Sequence, residues 1–125
     1  IDDNTFILDA YNANPSSMEQ AIASFAEMTA TSKVAILGHM LELGDASAEE
    51  HERIAHLALA QGFDQVVFVG EEFRAVAELP GATYFENTAA LREWFAAQRF
   101  QNTYFLLKGS RGIQLEKLLP AEIMH

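Results

Sequence analysis

Five short apolar runs recur along the chain: Phe6–Leu8, Val34–Leu37, Val66–Val69, Thr83–Phe85 and Tyr104–Leu107. Four are near-continuous rather than alternating, as strands are when both of their faces are buried; Thr83–Phe85 is the weakest. Helical patterns lie between them. Met18, Ala21, Ile22 and Phe25 recur at helical spacing, as do Ile54, Leu57 and Ala58. A shorter pattern covers about 72–79 and stops before Pro80-Gly81, and another covers Thr88–Gln98 with Leu91, Trp94 and Phe95 on its apolar side. A fifth begins near Gly112 and carries Leu115, Leu118 and Leu119. Strand–helix alternation repeated in this way predicts an α/β domain, a mostly parallel sheet with helices on both faces.

The helix ends are marked less sharply. Pro15 suits the first turn of the first helix, with Asn14 or Ser16 as the cap and Ser16–Glu19 readable as a capping box. Ser47–Glu50 reads as a second capping box, and Gly62 as the residue that closes that helix.

At 125 residues, half of them hydrophobic, the chain fits one domain with an ample core. The absence of cysteine rules out disulfide and thiolate chemistry and suits a cytoplasmic protein. There is neither a signal-peptide pattern nor an apolar stretch near the ~20 residues a membrane span needs. A net charge of −10 repels nucleic acid and anionic membranes, so neither is an expected partner. A small anion remains possible wherever a few of the eight cations gather.

Right-handed crossovers open every loop that follows a parallel strand on one edge of the sheet, where ligands of such folds bind. That edge gathers five segments, 9–15, 38–45, 70–72, 86–88 and 108–112. The first offers Asp9, Tyr11, Asn12, Asn14 and Ser16: a carboxylate suited to ribose hydroxyls and amides suited to a purine edge or a sugar. The same residues also satisfy turn backbone, and both readings stay open. The second, GHMLELG, holds His39, Glu42 and two large apolar residues between Gly38 and Gly44. His39, Glu42 and His51 lack the spacing of a metal site, so no metal is expected here. The last, LLKGSRG, places Lys108, Ser110 and Arg111 among glycines, a pocket for a carboxylate or phosphate. Alternatively Lys108 and Arg111 pair with Asp9 or Glu42 and tie the loops together. The two glutamates of VGEEF argue against phosphate there, which makes that turn structural. The chain has no phosphate loop of the GxxxxGK[ST] type, no GxGxxG and no GxSxG elbow, so it lacks phosphoryl-transfer equipment of its own.

DAYNANPSSM, LGHMLELG followed by S..EH, and LLKGSRG..LE stand in order along nearly the whole chain. Together they resemble the C-terminal domain of the Mur ligases, of the type that adds D-alanyl-D-alanine to UDP-N-acetylmuramoyl-tripeptide in peptidoglycan precursor synthesis. The resemblance implies a Rossmann-like three-layer domain and a cytoplasmic, monomeric enzyme. Its N-terminal UDP-sugar-binding domain and its central ATPase domain, with the phosphate loop and Mg2+, are absent from this chain. It also implies that ATP phosphorylates the tripeptide carboxylate and that the dipeptide amine attacks the acyl phosphate. This domain would close over the central one to complete both sites. On these motifs Asp9, Asn12, Asn14 and Pro15 fall on the ATP side, with Asp9 at the ribose hydroxyls and Asn12 and Asn14 near the adenosine. His39, Glu42, Lys108, Ser110 and Arg111 fall on the dipeptide side, the last three toward its carboxylate. No catalytic residue is expected within the chain, and the chain alone is expected to be inactive. Two departures stand out. His39 occupies a position where the family commonly has Asp, and Leu8-Asp9-Ala10 replaces an Asp-Asp-Ser run. A receiver-like signalling domain is a competing reading, weakened because Val69-Gly70 stands where its aspartate is needed. A nucleotide-binding module without catalysis is another.

Overall fold

The computed structural model describes residues 4–9, 14–41, 43–109 and 115. Five strands, β1 (Thr5–Asp9), β2 (Ser32–Gly38), β3 (Gln65–Val69), β4 (Ala82–Phe85) and β5 (Thr103–Lys108), form one sheet in the order β1-β5-β2-β3-β4. Every pairing is parallel. Among the described residues three α-helices cover it: α1 (Pro15–Glu27), α2 (Ser47–Leu59) and α3 (Thr88–Gln98).

The strand order decides which helix lies on which face. The steps β1 to β2, β2 to β3 and β3 to β4 all run the same way across the sheet, and β4 to β5 runs back. Right-handed crossovers must then put α1 and α2 on one face and α3 on the other. The core divides accordingly. Met18, Ile22 and Phe25 of α1 and Ile54, Ala55 and Ala58 of α2 pack with Ala35, Leu37, Val66, Phe68 and Leu106. Leu91, Trp94 and Phe95 of α3 pack with Val34, Ile36, Val67, Phe105 and Leu107 on the opposite side. Each large apolar side chain buried this way contributes roughly 1.5–3 kcal/mol. The central strands therefore need apolar residues at every position, which is why their runs are unbroken.

Several helix-end expectations are corrected. Asn14 alone caps α1: its Oδ1 accepts from the Ser17 amide at 2.9 Å, and Ser17 Oγ accepts from the Asn14 amide at 3.1 Å. Pro15 then fills the first helical position, so the Ser16–Glu19 box does not form the cap. The Ser47–Glu50 box does not form either. A 3-10 turn at Gly44–Ala46 leads straight into α2, and Ser47 is already helical. α2 closes at Ala60, before Gly62, whose φ of +81° serves the turn beyond. The short third helix is a 3-10 helix over Glu71–Val76. Of the fifth helical pattern only Leu115 is described, buried in the α3-side core; Leu118 and Leu119 lie outside the described residues.

The lower end of the sheet, where the strands begin, is tied by side chains to backbone. Lys33 Nζ donates to the carbonyls of Phe25, Ala26 and Met28 at 3.1, 2.9 and 2.7 Å, closing the C-terminus of α1 with a positive charge. Its own backbone is held by Asp64, which accepts from the Lys33 amide through Oδ2 at 2.7 Å. Asn4 bridges in the same way, donating to Phe100 O and accepting from Thr103 N.

Candidate functional site

At the upper end the register fixes what meets what. Asp9 pairs with Lys108, and Lys108 pairs with Leu37. Gly38 pairs with Val69, and Val69 with Phe85. The segments that follow all five strands thus leave from one edge, as parallel pairing requires. β5 lies between β1 and β2, whose helices α1 and α2 pack on one face, while Leu115, beyond β5, packs on the other. Chains diverge to opposite faces on both sides of β5, the switch-point geometry at which open α/β sheets bind ligands.

The described residues of this rim are unequal in surroundings. Lys108, at the tip of β5, is 1% exposed and is among the largest fully buried side chains. A buried ammonium at a strand end is costly unless it serves the structure or a ligand. Asn14 is exposed, and its side-chain oxygen is engaged in the α1 cap. For Asp9 the backbone is described, at the end of β1. Asn12, Glu42, Ser110 and Arg111 lie outside the described residues.

His39 turns toward β3 rather than β5. Its Nδ1 lies 3.1 Å from Glu72 Oε1, and its Nε2 is buried without a hydrogen-bond partner. Gly70 accommodates the ring. A Cβ there would stand 2.8 Å from His39 Nδ1, and the φ of +116° favours glycine independently. Beyond it, Arg74 holds Glu71 at 3.6 Å and Glu86 at 2.8 Å. The VGEEF turn is thus a brace for the neighbouring loops, and Glu72 is a contact that the sequence reading did not assign.

His51 is the second residue that the motif reading undervalued. It shares the inward stripe of α2 with Ile54, Ala55 and Ala58 and is 1% exposed. Its Nε2 accepts from the Met40 amide at 2.9 Å, and its Nδ1 sits 2.7 Å from Ser47 O. A carbonyl only accepts, so the proton is on Nδ1 and the ring is neutral. Burial lowers its pKa from 6.5, against smaller opposing effects of the Ser47 carbonyl and Glu72. Its position in an otherwise apolar helical stripe was the signal available in the sequence. Both ring nitrogens face backbone groups, and no cluster of three metal-ligating side chains occurs among the described residues.

The strand order excludes the receiver-like alternative, whose flavodoxin-type sheet runs 2-1-3-4-5. A protein-family model described as "Mur ligase, glutamate ligase domain" matches residues 1–111, and the chain belongs to that family. Relatives of one ligase type stand out within it. The UDP-N-acetylmuramoyl-tripeptide–D-alanyl-D-alanine ligase of Treponema pallidum is 43% identical over 123 residues, covering 93% of this chain and 27% of that protein. The corresponding ligase of Escherichia coli is 34% identical, covering 95% and 27%. A crystal structure of MurF from Acinetobacter baumannii superposes with a TM-score of 0.80 at 31% identity, covering 90% of this chain and 26% of that one. The chain spans about a quarter of the length of these relatives.

Proposed function

We propose that this chain is the C-terminal domain of an ATP-dependent ligase that joins D-alanyl-D-alanine to UDP-N-acetylmuramoyl-tripeptide. The observation that carries the reading is the register at the rim, which sets Asp9, Lys108 and the start of the 38–44 loop on adjacent strands beside a switch point. One half of this rim, Asp9 with Asn12, Asn14 and Pro15, receives the ribose and adenosine of ATP. Its donors and acceptors suit a nucleoside, and no cationic cradle for phosphates stands among them. ATP supplies the activation of the tripeptide carboxylate; it and Mg2+ are held mainly by a central domain outside this chain.

The other half receives the dipeptide. Lys108, Ser110 and Arg111 take its carboxylate, with Arg111 as the orienting fork, and the 38–44 loop with His39 and Glu42 forms the adjoining wall. Neither half is complete alone, so domain closure brings amine and activated carboxyl together, and orientation is this domain's contribution to rate. The enzyme works in the cytoplasm as a monomer, and no helix among the described residues is long and apolar enough to cross a membrane.

The test is amide formation from ATP, UDP-tripeptide and D-alanyl-D-alanine. The complete ligase carrying this chain turns over, and the chain by itself does not. Turnover by the isolated chain, or none by the complete polypeptide, refutes the reading.

A further inference from the structure

Residues 39–41 follow β2 at the rim. Met40 is buried, and Leu41 beside it is 46% exposed. Among the described residues, two side chains from elsewhere meet this turn: Glu72, through His39, and His51, through the Met40 amide. The second is the stricter contact. It is a buried backbone hydrogen bond with a single possible proton arrangement, and its far side is fixed in turn by Ser47 O.

We propose that His51 is a positioning residue for the incoming dipeptide: as a neutral imidazole it hangs the 38–44 loop on α2 and so fixes the wall against which the dipeptide is oriented. The inference rests on the assignment of that loop to the dipeptide site. His51 touches no substrate and acts through Met40. Adding a proton to Nε2 replaces the acceptor with a donor aimed at the Met40 N–H, so the loop must let go. The groups that face the ring are Ser47 on its own helix, Phe73 edge-on at 4.7 Å from the 3-10 helix, Glu72 beside it, and His39 from the loop. Burial opposes protonation and Glu72 favours it, burial being the larger effect. The neutral ring is therefore the resting form at neutral pH.

The experiment is hydrogen exchange of the segment around Met40, read by mass spectrometry in the complete ligase, alongside steady-state kinetics. His51→Leu removes the acceptor, whereas His51→Gln keeps an acceptor at the Nε2 position that does not titrate. Expected for His51→Leu is faster exchange confined to this segment. The KM for D-alanyl-D-alanine should rise about tenfold, the scale of one buried hydrogen bond, with the KM for ATP within about twofold. His51→Gln should restore both. In wild type the segment's protection factors should fall as pH is lowered from about 7 to about 5, and in His51→Gln they should not. Unchanged exchange in His51→Leu, equal rises in both KM values, or the same pH response in wild type and His51→Gln overturns the proposal. If His51→Leu does not fold, the pH arm decides alone. A wild-type ligase inert toward D-alanyl-D-alanine would sink the functional reading instead, leaving the exchange data to judge His51.

Discussion

The two ends of the sheet each carry a lysine on a central strand, and the two sit in different surroundings. Lys33, at the lower end, spends its three protons on three carbonyls at the C-terminus of α1. Its partners are backbone groups fixed by the helix itself. Lys108, at the upper end, is buried at the tip of β5, in register with Asp9 and at the start of the KGSRG loop. The lower end is closed by contacts within the fold. The upper end gathers charge where chains diverge to both faces. The Lys33 clasp is thus kept away from the end at which binding is proposed.

Substitutions at the two ends should separate stability from substrate use. The largest effect is expected from Arg111→Ala in the complete ligase. It should lower kcat/KM for the dipeptide about 100-fold, the scale of a lost charged fork, and change the KM for ATP far less. Unchanged dipeptide kinetics would remove Arg111 from the pocket. Lys33→Met comes next. It should cost about 2 kcal/mol in urea unfolding, because three carbonyls lose a charged donor, while both KM values stay near wild type. A Lys33→Met variant with altered KM but intact stability would break the contrast between the ends. Asp9→Ala is the smallest. It should raise the KM for ATP about tenfold through lost ribose hydrogen bonds, with dipeptide use little changed. An unaltered KM for ATP would take Asp9 out of the nucleotide half.

His51 adds a pH dependence to the same contrast. Its folded value lies below the ordinary 6.5, so below 6.5 the unfolded chain binds the proton more readily. Its contribution to stability is complete above 6.5, and it declines as pH falls from there toward the lowered folded value. The strain of that decline falls on the 38–44 loop at the upper end, not on the Lys33 clasp.

Much of this was written in the residues themselves. The unbroken runs of β2, β3 and β5 and the stripes of α1 and α3 follow from burial on two faces or one, so they were legible without coordinates. Helix starts were less so. Asn14, Ser16 and Ser47 all have capping chemistry, and only the backbone path decides which amides are left bare for a side chain to meet.

The amino-acid order alone pointed to a mostly parallel α/β domain and marked the segments that follow its strands. Periodicity and turn chemistry are local, and a chain displays them directly. Tertiary structure alone decided that β5 inserts between β1 and β2, that Lys108 is buried beside Asp9, and that His39 answers to Glu72 while His51 answers to Met40. Those are meetings between residues distant along the chain. They depend on strand order and on the direction of each crossover, which no local stretch of sequence encodes.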